Sequence, residues 1–305
     1  MNRIFDLSDS PAKLFVRNGL VCIAVNGDSQ AGFLPSEIAS IVLSHPQISC
    51  SQSVLALLAE NGVALVTCND KRMPVGMLLP LSAHFTQGER FRAQSVASLP
   101  MKKRLWKAIV KCKITQQASV LNRLFGADYG LSKLSKNVKS GDITNVEAWA
   151  AKKYWSRLFP GMDFKREPDA IDQNQLLNYG YAVLRAITAR AICGVGLHPT
   201  FGLFHRNRYS AFCLADDLME PFRPIVDWTV AKIVGKAAAD TPLDLANRRQ
   251  VLQSLYVRWE TESGRRTIFE TVEQLASSLA GVFLGNNRQL QLPRAFEFDD
   301  AILGN

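Results

Sequence analysis

Between Gly202 and Asp227 the chain reads GLFHRNRYSAFCLADDLMEPFRPIVD, with one histidine, His205, twelve and fifteen residues ahead of two acids, Asp217 and Glu220. Arg206 and Arg208 flank the set on one side and Arg223 on the other. Imidazole and carboxylate oxygens together suit a divalent cation such as Mg²⁺ or Mn²⁺, and guanidinium groups grip phosphate. On a helix, acids three apart share a face, where they repel each other unless a cation lies between them. Gly194, Gly196, Pro199 and Gly202 make the stretch before His205 loop-like and tight enough to aim a side chain. The plainer reading of His205, beside Phe204, is a satisfied interior histidine. His198 reads as structural, and His45 and His84 have no acidic neighbours.

Glu147 is a further candidate. On a helix it shares a face with Ala150, Ala151, Tyr154 and Leu158, a stripe that points to a core, and a carboxylate turned inward needs a partner. Thr144-Asn145-Val146-Glu147 also fits a capping box, in which the glutamate accepts from a backbone N–H. Local sequence alone favours that cap.

These residues must be positioned by two kinds of structure. AKLFVR and LVCIAV are β-rich runs joined by Asn18-Gly19, a hairpin turn; EIASIVLS, VALVTC and the end of NDKRMPVGMLLPL add strands. SQSVLALLAENG reads as a short helix capped by Ser53 and ended by Asn61-Gly62. From about Gly88 the period shifts to that of helices. Met101, Leu105, Ile109, Cys112 and Gln116 track one helical face, and later helices are expected over 145–158, 172–193, 214–234, 242–260 and 268–284. Thr241-Pro242 supplies a cap followed by proline at the first helical position. Strands first and helices afterwards predict an α+β protein. A small N-terminal β domain, residues 1–85, would precede a larger all-α catalytic domain, residues 86–305.

Charge is concentrated. The net charge of +9 arises within residues 84–139, which carry 12 Lys/Arg against 2 Asp/Glu, while the segments on either side are close to balanced. MKKRLWKAIVKCK puts six cations in thirteen residues, and such a field attracts polyanions such as DNA. A solvated helix face is the alternative. No run of about 18 apolar residues is present to span a bilayer, and the acids near the N-terminus do not fit a signal peptide. The six cysteines form no C-x-x-C pair and read as free thiols of a reducing compartment.

The run LNYGYAVLRAITARAICGVGLHPTFGLFHRNRYSAFCLADDLMEPFRPIVD, Leu177 to Asp227, resembles the CRISPR-associated adaptation integrases, the larger of the two proteins that insert new spacers into CRISPR arrays. NGVALVTCNDKRMPVGMLLPL matches too, and the order of strands then helices agrees. The resemblance implies a β domain that pairs two subunits into a homodimer and a helical domain with a metal-dependent nuclease and integrase site. By that likeness Glu147, His205 and Glu220 are the catalytic metal ligands for Mg²⁺ or Mn²⁺, with Asp217 an auxiliary acid. It also implies partners: double-stranded DNA as both incoming fragment and CRISPR repeat, a small second adaptation protein, and a large RNA-guided effector nuclease in a prokaryotic cytoplasm. Arg206, Arg208 and Arg223 are candidate phosphate clamps, though Arg223 has Asp217 and Asp227 as alternative partners. Lys102, Lys103, Arg104, Lys107 and Lys111 are expected to track the duplex backbone. Two rivals remain: a stand-alone nuclease for branched or single-stranded DNA, and a basic scaffold without chemistry.

Overall fold

Short apolar and β-branched runs at the start of the chain build a two-sheet unit. The strand Ala12–Arg17 alternates buried and more exposed residues in part, whereas Leu20–Val25 and Ala64–Cys68 are buried along most of their length. The computed structural model describes residues 3–26, 29–70, 74–80, 84–167, 169–236, 242–260, 264–294 and 296–298. One sheet has the order β4 (Ser29–Phe33), β3 (Leu20–Val25), β2 (Ala12–Arg17) and β6 (Ile48–Cys50). The other has β1 (Arg3–Leu7), β5 (Ile38–Leu43), β7 (Ala64–Cys68) and β8 (Pro74–Leu78), with β1, β5 and β7 parallel and β8 antiparallel to β7. The expected hairpin is present: Arg17 pairs with Leu20, and Asn18 and Gly19 both take positive φ. Helix α1 (Gln52–Glu60) is capped by Ser51, not by the expected Ser53; the Ser51 side chain accepts from the Val54 N–H. Asn61 and Gly62 end it as expected.

Successive side chains of a strand face opposite ways, and the second sheet uses both faces. Ile41 and Leu65 join Leu14, Val21, Ile23, Val54 and Leu58 in a core under α1. Val42, Ala64 and Val66, one residue on from these or one before, join the core of the helical region instead. Arg248, fully buried, reaches across to Asp6 at 3.0 Å. Residues 81–83, part of the expected boundary, lie outside the described residues, as does Thr241 of the expected cap. The expected helix start at Pro242 is corrected: the helix begins at Leu245, and the Asp244 side chain caps it by accepting from the Asn247 N–H at 2.8 Å.

The helical region holds α2 (Gln87–Ser95), α3 (Leu99–Phe125), α4 (Leu131–Lys136), α5 (Val146–Leu158), α6 (Asn174–Gly194), α7 (Cys213–Met219), α8 (Arg223–Lys236), α9 (Leu245–Tyr256) and α10 (Ile268–Phe283). Helix α3 is its axle. Ser98 caps it by accepting from the Met101 N–H, and Gly126 ends it in the left-handed conformation. Of the expected face it buries Leu105, Ile109 and Gln116, with Met101 and Cys112 half-buried, and it also buries Trp106, Val110, Ile114 and Leu121. Gln116 offers both ends of its amide to the C-terminal segment: its nitrogen donates to the Arg294 carbonyl at 2.6 Å, and its oxygen accepts from Phe296 N–H at 2.9 Å. The single helix expected over 214–234 is broken into α7, a 3-10 turn over Glu220–Phe222 and α8, because Pro221 has no N–H to continue the ladder. The helix expected to run to 260 stops at Tyr256, where a two-strand ribbon, β9 (Arg258–Trp259) and β10 (Arg266–Thr267), takes over. Among the described residues no helix is long and apolar enough to cross a membrane.

Candidate active site

The His205 loop is built from both ends. Helix α2, absent from the sequence expectations, contributes Gln94, which is fully buried. Its amide accepts from the His198 N–H at 2.9 Å and donates to the carbonyls of His198 and Phe201 at 2.9 and 3.2 Å. Gly202 is required by close approach: a Cβ there would strike the His205 carbonyl oxygen and lie 3.0 Å from Asp217. Asp217, fully buried on α7, accepts from the backbone N–H groups of Leu203, Phe204 and His205 at 2.5, 3.0 and 3.2 Å. It also pairs with His205 Nδ1 at 2.7 Å. That hydrogen bond raises the pKa of the half-exposed imidazole against the opposing pull of burial. Trp106 of α3 backs the loop, stacked on Phe204 with centroids 4.5 Å apart. With Nδ1 donating to a carboxylate, Nε2 carries the lone pair, the arrangement in which histidines bind metals.

Glu147 is released from capping by a neighbour. Asp142, held at positive φ, accepts from the Val146 and Glu147 N–H groups, both at 2.9 Å. The N-cap position itself, Asn145, makes no side-chain cap bond. The capping-box reading is therefore wrong for Glu147, whose carboxylate leaves the helix end and meets Lys113 Nζ at 2.7 Å. Ala150, Tyr154 and Leu158 are buried on the same face, as expected.

Glu220, in the 3-10 turn, reaches that same ammonium at 2.6 Å through its other side. Its remaining oxygen lies 3.2 Å from Arg223 Nε. Burial works to raise the Glu220 pKa, but Arg223 and Lys113 outweigh it and hold the carboxyl below its ordinary value. Burial works to lower that of Lys113, and the two glutamates more than offset it. Arg223 thus pairs with Glu220, not with Asp217, and lies over the Tyr181 ring at 4.9 Å. Asp217 and Glu220 do not face one common cation: Asp217 is hydrogen-bonded by the His205 loop, whereas Glu220 is paired by charge with Lys113 and Arg223. Among the described residues, no three His, Cys, Asp or Glu side chains stand close enough together to hold a metal ion as the site is arranged. What converges is a carboxylate pair on one ammonium, with His205 close enough to act electrostatically on Glu220.

Beside His205 an open cavity of about 350 Å³ is lined by Lys102, Arg206, Asn207, Arg208 and Ser95. Lys103 and Arg206 line a neighbouring one with Trp106 and Phe204. Arg208 is exposed and lies over the Tyr209 ring at 4.7 Å. Arg104 and Lys111 are exposed and Lys107 is half-buried, further along α3. None of these five α3 cations, Lys102, Lys103, Arg104, Lys107 and Lys111, pairs with an acid among the described residues.

Behind the site lies Asp227, which the sequence offered only as a partner for Arg223. Asp227 is buried and accepts from the Tyr181 hydroxyl. Burial pushes its carboxyl up to about 7, against the Tyr181 hydrogen bond and the charges of Arg223 and Lys113.

A family model described as CRISPR associated protein Cas1 matches residues 7–274. The CRISPR-associated endonuclease Cas1 of Neisseria meningitidis serogroup C (strain 8013) is 34% identical over 291 residues, 94% of this chain and 94% of its own. Among solved structures, a casposase bound to integration product covers 100% of this chain and 96% of that one, with a TM-score of 0.78 at 20% identity. A chain of a Cas6-RT-Cas1–Cas2 complex gives 0.73 at 15% identity, covering 94% of this chain and 35% of that one. At such identities the structural likeness speaks to the fold: strands first, helices after.

Proposed function

This chain belongs to the Cas1 family of CRISPR-associated proteins, and from that premise we propose that it inserts short DNA fragments into a CRISPR repeat by a divalent-metal-dependent transesterification. The observation that carries this reading is the meeting of Glu147 and Glu220 on one cation, beside a histidine whose Nδ1 is tied to a buried aspartate.

The donor set fits Mg²⁺ or Mn²⁺: two carboxylates that already close on a positive charge, and an imidazole with Nε2 left for a ligand. Glu147, His205 and Glu220 would hold the ion, which supplies Lewis acidity to the phosphoryl group and acidifies the attacking hydroxyl. Asp217 keeps His205 in one tautomer and one orientation. Lys102 and Arg206, which flank the cavity beside His205, hold phosphate oxygens next to the reacting position. The 3′-oxygen of the incoming strand bonds to the repeat's phosphorus while the old 3′-oxygen leaves. One phosphodiester replaces another, so no ATP is consumed. In nuclease mode water takes the place of the 3′-hydroxyl.

Arg104, Lys107 and Lys111 extend a basic track along α3 for the duplex backbone. A second copy of the chain through the β region, a small Cas2-like protein and an RNA-guided effector nuclease complete the set of proposed partners. The test is strand joining into a supercoiled, repeat-bearing plasmid with Mn²⁺. His205→Ala should abolish joining and leave DNA binding largely intact; joining by that variant would remove His205 from the mechanism. Cutting without any joining by the wild-type protein would favour a stand-alone nuclease. Indifference to chelator would leave only a DNA-binding scaffold.

A further inference from the structure

Six cations crowd the first half of α3, and one of them behaves unlike the rest. Lys102, Lys103, Arg104, Lys107 and Lys111 have no acidic partner among the described residues, while Lys113 turns inward and touches two carboxylates at 2.7 and 2.6 Å. Its side chain is 12% exposed, and those of Glu147 and Glu220 are 21% and 3% exposed. Two carboxylates are thus balanced by two cations, Lys113 and Arg223, with no metal needed. At these distances the ammonium fills the space between the oxygens.

We propose that Lys113 is the protein's own occupant of the cation position, and that a divalent ion enters the site by displacing its ammonium from Glu147 and Glu220. This rests on the reading of those two glutamates as metal ligands. Without displacement, a doubly charged ion would have to enter a pocket already neutral, against an ammonium in contact with both of its oxygen ligands. With displacement, the ion inherits the carboxylates in a convergent arrangement kept in place by Lys113. Two consequences follow. The metal-free protein stays folded around its two inward carboxylates, because they are never left unpaired. Metal affinity is lower than the donor set would give alone, because two buried ion pairs must open first.

The test is Mn²⁺ binding, read from the electron paramagnetic resonance signal of the free ion, together with thermal unfolding in chelator and in Mn²⁺. Lys113→Met should bind Mn²⁺ more tightly than wild type, by about tenfold or more. In chelator its Tm should fall by about 5 °C or more, and Mn²⁺ should restore it. Lys113→Arg, which keeps the charge, should bind as weakly as wild type. Equal or weaker Mn²⁺ binding by Lys113→Met than by wild type would overturn the proposal and leave the metal reading standing. If neither protein binds Mn²⁺, or if Glu147→Gln/Glu220→Gln binds it as wild type does, the metal reading itself falls and takes the proposal with it. Should Lys113→Met fail to fold, a crystal structure of the wild-type protein with Mn²⁺ decides. Manganese on the carboxylates with Nζ withdrawn from both supports the displacement, and manganese there with Nζ still touching both refutes it.

Discussion

Asp217 and Glu220 are three residues apart and both buried, yet their charges are met by different means. Asp217 accepts three backbone N–H groups and the His205 ring, partners that cannot leave without unmaking the loop. Glu220 faces two long side chains, Lys113 and Arg223, which can swing away while the backbone stays put. One half of the site is therefore part of the fold, and the other half is exchangeable. The proposed metal-dependent strand transfer needs both: a ligand aimed in advance, and acids that stay charged until a divalent ion arrives.

The sharpest way to break that contrast is Asp217→Ala. It orphans three buried N–H groups and the imidazole, and should cost about 3 kcal/mol or more of stability in a urea melt, along with all strand joining. If the loss is under about 1 kcal/mol, Asp217 is not the anchor of the loop.

Glu220→Gln should cost less, about 1–3 kcal/mol, because the amide oxygen can still accept, Lys113 keeps Glu147, and the Arg223 side chain is partly exposed. Joining should vanish while DNA binding persists in a gel-shift assay. A stability loss equal to that of Asp217→Ala would erase the distinction between the halves.

Asp227 sharpens the comparison through pH. In the fold its carboxyl keeps its proton up to about 7, whereas an unfolded aspartate releases it near about 4. The folded state then binds more protons across that window, so this residue's contribution to stability is full below about pH 4 and is lost as pH rises through about 7. Asp227→Asn should therefore gain on wild type in denaturant melts as pH goes from about 5 to about 8, and parallel pH profiles would contradict the assignment.

The smallest effect on stability belongs to the outer cations. Lys103→Ala and Lys111→Ala should each leave stability within about 0.5 kcal/mol and weaken DNA binding. Each should also flatten the slope of log affinity against log salt by about 0.9 for every phosphate it no longer neutralises. A slope unchanged in both variants would take the basic track off the DNA.

Elements with a strong local signal were legible in the sequence. The Asn18-Gly19 hairpin, part of the buried face of α3 and the runs of α5, α6 and α10 follow from turn chemistry and apolar period alone. The strands β1, β4 and β6 escaped because RIFDL and SQAGF carry little unbroken apolar signal, β6 has only three residues, and all three take their place from neighbours already in the sheets. Helix α2 has no apolar stripe to announce it; Gln94 and the loop it clamps hold it by tertiary hydrogen bonds. The His205, Asp217 and Glu220 cluster was visible as spacing, but the division of labour between the two acids was not. That depends on the Gly202 loop closing over Asp217, which has no sequence period. Lys113 did leave a trace. It lies four residues after Ile109 and three before Gln116, on the buried phase of α3, while the clustering of charge drew attention to its neighbours.

The grip of Gln116 on the C-terminal segment reaches further than its own two hydrogen bonds. An α-helix turns by about 100° per residue, so a slip of one position in α3 would carry the Lys113 ammonium out of reach of both acids. The segment through Arg294 and Phe296, stitched to a fully buried amide three residues beyond Lys113, acts as a drawstring on the rotation of that helix. Cutting the chain before Pro293 would slacken the drawstring, and Lys113 would lose its alignment on Glu147 and Glu220 with all three residues still present.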